Sequence, residues 1–135
     1  LVAANVGRAL TRAVSEQGFE AVPESQREGL TPPAAAAPGY VDLIWQTAAE
    51  HMPDGKRPAQ GRQDPSFQRL VEAQLAWDRA MAQAIRDALA SDAEALVVGL
   101  MGEFHVRHGW GVAHQLRALG VTRIAGLLPW DVDRD

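Results

Sequence analysis

The sequence predicts an α/β domain with a small, mainly parallel sheet flanked by helices. Three short apolar runs, at 1–6, 95–102 and 123–130, read as strands, and segments with helical spacing separate them. Three strands are few for so many helices, and the first begins at Leu1 rather than at a methionine. We therefore expect residues 1–135 to form one partial domain, the C-terminal portion of a larger α/β domain with an upstream part missing.

Two helices are predicted in the first half of the chain. Val6, Leu10 and Val14 recur every four residues, which is typical of one helix face, and Gly18 is suited to end that helix. A second helix is predicted over 40–51, after a proline-rich connection.

Two further helices follow in the second half. Asp64 can cap a long helix, Pro65 suits its first position, and the apolar pattern continues to about Ala90. The segment 112–120 predicts another helix, which ends at a glycine. Each lies between predicted strands or polar connections, which is the alternation expected of an α/β layer.

The composition excludes several kinds of site. The 135 residues are 47% hydrophobic and 22% charged, enough to bury a core, and the formal net charge is −4. The absence of cysteine excludes disulfides, thiolate zinc sites and iron–sulfur clusters. No basic block of five or more residues is present, which argues against nucleic acid as a partner. No apolar run reaches the roughly 18 residues that span a bilayer.

The long helix carries two polar residues within its apolar face. Five apolar side chains form one stripe: Phe67, Leu70, Val71, Met81 and Ile85. Gln74 and Asp78 fall in the middle of that stripe, one turn apart. Because an unpartnered buried carboxylate costs several kcal/mol, Asp78 needs a partner. One interpretation is a structural anchor that binds backbone or an arginine; the other is a pair that orients a site residue.

Polar residues cluster where the second predicted strand ends. Glu103, His105 and Arg107 alternate, so they would share one side of an extended chain. Gly109 and Gly111 then allow a tight turn into a helix, whose N-terminus favours anions. The carboxyl end of a parallel strand is where such sheets bind ligands. The pattern indicates an anion-binding mouth; the alternative is a solvated loop with a surface histidine.

The helix predicted over 40–51 carries a third candidate pair. Tyr40 is the single tyrosine, and His51 follows eleven residues later, near the same helix face and roughly 16 Å away. That separation is too large for one metal ion but suits the opposite edges of a large flat ligand. The alternative is that Tyr40 is an amphipathic residue at the helix start and His51 interacts with the C-terminal dipole.

Several motifs together resemble the ChaN-like haem-binding proteins. The segment 67–85 resembles that family's AQ-x-x-x-D-x-x-MA helix, and 97–116 resembles its strand ending in G-x-x-H-V-R before a helix. The segment 3–23 is similar to an earlier A-x-N-x-P region, and "EHMP" at 50–53 to a histidine-containing turn. The matches follow one another in order through most of the chain.

The resemblance implies a haem-uptake protein of the bacterial cell envelope with an α/β fold. It implies that haem lies in a pocket formed by two protomers of a homodimer and that a lipid anchor, absent from this chain, attaches the protein to a membrane. Carried onto this sequence, Tyr40 is the implied axial ligand of the haem iron. His51 and His105 are the implied contacts to the propionates, and Arg107 is implied to neutralise their charge.

Two other hypotheses stay open. The G-x-x-H motif is shared with proteins resembling Tiki proteases and erythromycin esterases, which favours a hydrolase with His105 as general base and Glu103 beside it. Alternatively, the chain is a structural half-domain in which Asp78 and Arg107 form a buried pair.

Overall fold

The computed structural model describes residues 2–52, 58–92 and 94–129, and within them the fold is helical. Its α-helices are α1 (Arg8–Gln17), α2 (Pro38–His51), α3 (Pro65–Ser91), α4 (Glu103–Val106) and α5 (Val112–Ala118). Short 3-10 turns lie at Glu24–Gln26, Gly61–Gln63 and Arg107–Gly109.

The predicted parallel sheet is wrong, because no segment among the described residues forms a β-strand. The apolar run 95–102 is typical of a buried strand, but Leu96, Val98 and Leu100 are 90%, 71% and 94% exposed. Gly99, between them, lies close to Ile85 of α3. An apolar run does not by itself provide the adjacent strand that a sheet needs. Leu1 and Trp130, at the ends of the other two predicted strands, lie outside the described residues.

The helix boundaries predicted from the sequence are confirmed closely. Helix α1 ends at Gly18, which adopts a φ of 86° and donates its N–H to the carbonyl of Val14. Helix α3 begins at Pro65, and the Asp64 carboxylate accepts a hydrogen bond from the backbone N–H of Ser66. These ends are set by local chemistry, which is why the sequence alone locates them.

Helix α3 is the central element, because residues on it contribute to every core cluster found in the described chain. The cluster against α1 contains Leu10, Val14, Phe19, Val22, Leu30, Ala73, Ala76 and Ala80. A second, against α2, contains Tyr40, Ile44, Phe67 and Leu75, and a third, against α5, contains Met81, Ala82, Val112 and Leu116. Alanines on the face toward α1 keep that contact close, while larger side chains fill the other two.

The proline-rich connection before α2 is pinned by glutamine side chains. Gln115, fully buried, accepts the N–H of Ala34 at 2.8 Å and donates to its carbonyl at 2.9 Å. Nearer the start of the connection, Gln83 accepts a hydrogen bond from the backbone N–H of Thr31 and donates one to the carbonyl of Gly29. These contacts tie the connection to α3 and α5 and so fix where α2 begins.

Candidate functional site

A buried carboxylate joins three helices. Asp78 of α3 is 0% exposed, and its Oδ2 accepts a 2.7 Å hydrogen bond from the Tyr40 hydroxyl of α2. Its Oδ1 lies 2.7 Å from Nδ1 of His105 on α4. The partners of this carboxylate are thus a phenol and an imidazole, not the backbone or arginine of the structural-anchor interpretation. Two donors offset the cost of burying the charge.

Gln74 completes the cluster one turn earlier on α3. Its Nε2 donates to the Tyr40 hydroxyl at 3.2 Å and also lies 3.1 Å from Nδ1 of His105. An ionised carboxylate can only accept, so the short contact with Asp78 requires a proton on Nδ1. We assign Nδ1 as the donor to Asp78, which makes the Gln74–His105 approach a packing contact and leaves the Gln74 amide bound to Tyr40.

Tyr40 is sealed within the cluster. Its side chain is 0% exposed, and its ring lies against Phe104 with 5.6 Å between the ring centroids. Burial, and then the charge of Asp78 and the hydrogen bond to it, raise the pKa of the Tyr40 phenol well above its ordinary value. The hydroxyl is therefore held protonated and away from solvent. The iron-ligand role that the resemblance implies for Tyr40 stays a prediction, and it would require this hydroxyl to become accessible and to lose its proton.

His105 presents its other nitrogen outward. The side chain is 19% exposed. Within the described residues, Nε2 has no hydrogen-bond partner and is accessible to solvent. Gly111 makes this placement possible, because a Cβ there would lie 2.6 Å from the His105 carbonyl oxygen and 3.0 Å from Oδ1 of Asp78. Gly109 adopts a φ of 66°, so the predicted glycine turn before the last helix is confirmed. One imidazole nitrogen is thus anchored and the other is accessible.

Glu103 and Arg107 form a separate pair on the surface. They lie one turn apart, 2.5 Å between Oε1 and Nη2, with side chains 54% and 45% exposed. The residues 103–106 are helical rather than extended, so Glu103 and Arg107 share a face that His105 does not. The buried Asp78–Arg107 pair of the structural hypothesis is not formed, and Glu103 is the partner of Arg107.

His51 is exposed at the end of α2, where its Nδ1 lies 2.8 Å from the carbonyl of Thr47. Tyr40, at the other end of the same helix, is buried. Of the residues predicted to contact a ligand, the structure therefore brings Tyr40 and His105 together through Asp78. His51 and Arg107 take no part in that hydrogen-bond network.

The bond between Tyr40 and Asp78 was not predicted from the sequence. A carboxylate in an apolar stripe needs hydrogen-bond donors, and a tyrosine in an apolar helix needs an acceptor when its hydroxyl is buried. Those two requirements, considered together, are the signal that could have indicated the pair.

A cleft of about 360 Å³ is lined by none of the side chains of the hydrogen-bonded cluster. It is bounded by the end of α1 and by Pro32 and Pro33, and Glu72 in its wall accepts the N–H of Phe19 at 2.7 Å. None of the predicted ligand contacts lines this cleft, so the candidate site is defined by the hydrogen-bonded cluster instead.

The His, Asp and Glu side chains of the described residues limit which cofactor the chain could bind. No group of three or more His, Asp or Glu residues in those ranges could together hold a metal ion. Haem supplies four ring nitrogens of its own, so binding it would not need such a group of side chains. Across the same ranges, no helix is long and apolar enough to cross a membrane.

Histidines that bind ligands or act in catalysis are often held in this way, with one nitrogen bound to a carboxylate and the other accessible. The family model described as "Haem-binding uptake, Tiki superfamily, ChaN" matches residues 1–116. The chain therefore belongs to this haem-binding uptake family, and the resemblance inferred from its motifs is confirmed. No curated protein and no solved structure matches the chain.

Proposed function

We propose that this chain binds haem and serves in haem or iron acquisition rather than as an enzyme. The observation that carries the proposal is the family match over 1–116, which spans α1 to α4, most of α5 and the whole Tyr40–Asp78–His105 cluster. Haem would supply an iron centre that needs an axial ligand and two carboxylates that need compensating charge.

Arg107 and His51 are the proposed partners of the propionates. Both are exposed, so carboxylates can reach them without opening the core. The Arg107 guanidinium is shared with Glu103, but an exposed ion pair contributes about 0–1 kcal/mol, which an incoming propionate can replace. A guanidinium also matches the two oxygens of a carboxylate.

The resemblance assigns the iron to Tyr40 and a propionate to His105, and both assignments stay predictions. Ligation by Tyr40 requires the hydroxyl to lose its proton, leave Asp78 and emerge from a fully buried position. A propionate contact by His105 requires a second proton, on Nε2, because the Nδ1 proton is engaged by Asp78.

Assembly and location are proposed on the same family basis. An uptake role favours the bacterial cell envelope, with attachment through a lipid anchor outside this chain, and a homodimer would enclose more of the flat ligand than one protomer. Sedimentation with and without ferric haem measures the assembly; a mass that stays monomeric at saturating haem would contradict the dimer.

A titration of the chain with ferric haem tests the proposed function. We expect a saturable change in the Soret absorption, and Arg107→Ala should weaken binding about three- to tenfold because a charged partner of a propionate is lost. Arg12→Ala removes an exposed arginine of α1 and is the matched control, with affinity unchanged. Absorption identical to that of haem in buffer would refute haem binding.

The Asp78–His105 pair also supports one alternative, a hydrolase with His105 as general base. The carboxylate beside the imidazole is Asp78 rather than Glu103, which is bound to Arg107. Ester or peptide turnover that His105→Ala removes would favour this alternative over haem uptake.

A further inference from the structure

The cleft beside the end of α1 is lined by polar groups of one electrical sign. Two of its lining residues are glutamates, Glu20 and Glu72, and none is an arginine, lysine or histidine. The C-terminal end of α1 adds backbone carbonyls, which carry partial negative charge. The cleft therefore favours a cation, and it repels carboxylates such as the propionates of haem.

Glu72 is the carboxylate best placed to bind such a cation. It is half-buried on α3, and its Oε2 accepts the backbone N–H of Phe19 at 2.7 Å. Among the described residues its Oε1 has no hydrogen-bond partner and is accessible to solvent, and no cationic side chain forms an ion pair with it. Glu20, by contrast, is exposed and lies 3.9 Å from the Arg27 guanidinium. One oxygen of Glu72 is thus anchored, and the other can accept from an ammonium group.

The remaining walls of the cleft are apolar and held in place. Phe19 and Leu75 line it, as do Pro32 and Pro33. A ligand therefore needs an apolar body as well as a charge. The proline rings fix their own φ angles, and the preceding Thr31 is bound to α3 through its backbone N–H and its hydroxyl. Walls that are already ordered lose little conformational entropy when a ligand binds.

We propose that this cleft binds a small organic cation that carries an ammonium group on an apolar body about the size of one aromatic ring. The ammonium group pairs with Glu72, and the body packs against the apolar walls. At about 360 Å³ the cleft lies at the small end of the range for ligand pockets, which suits one ring better than a haem macrocycle. None of the residues proposed to contact haem lines the cleft, so either proposal can fail while the other stands.

Two probes of the same shape test the role of charge. Phenethylamine is protonated at neutral pH, whereas phenethyl alcohol has the same ring and stem but no charge. In ¹H–¹⁵N NMR titrations the ammonium probe should shift the amides of 17–21 saturably, with a dissociation constant of roughly 1–10 mM. The Phe19 amide is the most direct reporter, because it donates to Glu72. The alcohol should bind at least about tenfold more weakly.

A variant that removes one charge identifies the binding group. Glu72→Gln keeps an oxygen that can accept from Phe19 but loses the negative charge. It should weaken binding of the ammonium probe about tenfold and leave binding of the alcohol unchanged. Glu50→Gln removes an exposed carboxylate of α2 that does not line the cleft, and it is the matched control, with binding of both probes unchanged.

The wild-type titrations can overturn the proposal without any variant. Amide shifts confined to residues outside the cleft, the absence of a saturable shift, or equal affinities for the ammonium and alcohol probes would each refute it. A Glu72→Gln protein that fails to fold therefore does not remove the test. Saturable, charge-dependent shifts of the cleft amides in a chain that binds no haem would support this proposal while the proposed function fails.

Discussion

Two polar pairs, each with one member on the short helix α4, differ in how deeply they are buried. His105 points inward to the carboxylate of Asp78 on α3, which is 0% exposed and also accepts a hydrogen bond from Tyr40 of α2. Glu103, on the same helix, pairs in solvent with Arg107, which directly follows the helix, and both side chains are about half exposed. The comparison shows that residue type alone does not separate the buried His105 from the exposed Glu103–Arg107 pair. The direction in which each side chain leaves this segment does.

The largest expected effect comes from removing the carboxylate of the buried pair. Asp78→Ala leaves two buried donors, the Tyr40 hydroxyl and Nδ1 of His105, without an acceptor, and should lower the free energy of unfolding by about 3–5 kcal/mol. Urea unfolding followed by circular dichroism measures it. Asp87→Ala removes an exposed carboxylate of the same helix and should cost less than about 0.5 kcal/mol. Equal losses in the two variants would contradict the contrast between buried and exposed pairs.

The next effect concerns Gly102 and Gly111, the residues that precede α4 and α5. Gly111→Ala places a methyl group 2.6 Å from the His105 carbonyl oxygen and should cost about 1–3 kcal/mol while displacing the imidazole. Gly102→Ala is the matched control, because its nearest neighbour is Cδ2 of His105 at 3.7 Å, and its cost should stay below about 1 kcal/mol. Thermal unfolding of both variants, with the ¹⁵N signals of His105, measures the difference. An unperturbed His105 in Gly111→Ala would show that the close approach is not needed.

The smallest effect is a pH dependence carried by Tyr40. Its pKa is raised in the folded state, so the native chain keeps a proton that the unfolded chain releases above about pH 10. The stabilisation by Tyr40 is therefore complete below that pH and is lost above it, by up to about 1.4 kcal/mol per pH unit. Tyr40→Phe should be less stable by about 1–2 kcal/mol at neutral pH, and the two proteins should converge in alkali.

The absorbance of tyrosinate provides a direct check on that behaviour, because Tyr40 is the only tyrosine in the chain. Its signal should appear only as the protein unfolds. Ionisation near pH 10 in the folded protein would show that the phenol is neither buried nor bound to Asp78.

Much of the helical framework could be predicted from local chemistry. The cap at Asp64, the glycine after α1 and the spacing of Leu10 and Val14 act within a few residues, so the chain contains all the information they need. The sheet could not be predicted in the same way. An apolar run such as 95–102 becomes a strand only if another strand pairs with it, and the described residues provide none.

In the candidate site, too, some features follow from the sequence and others only from the tertiary structure. By itself the sequence determined that a carboxylate lies in an apolar stripe, that a histidine follows an apolar run, and that the motifs belong to a haem-binding family. Only the tertiary structure decided that Asp78 meets Tyr40 and His105, which are 38 and 27 residues away along the chain. The reason is physical: a buried charge requires donors, but packing of α2 and α4 against α3 selects which donors arrive and which nitrogen is left accessible.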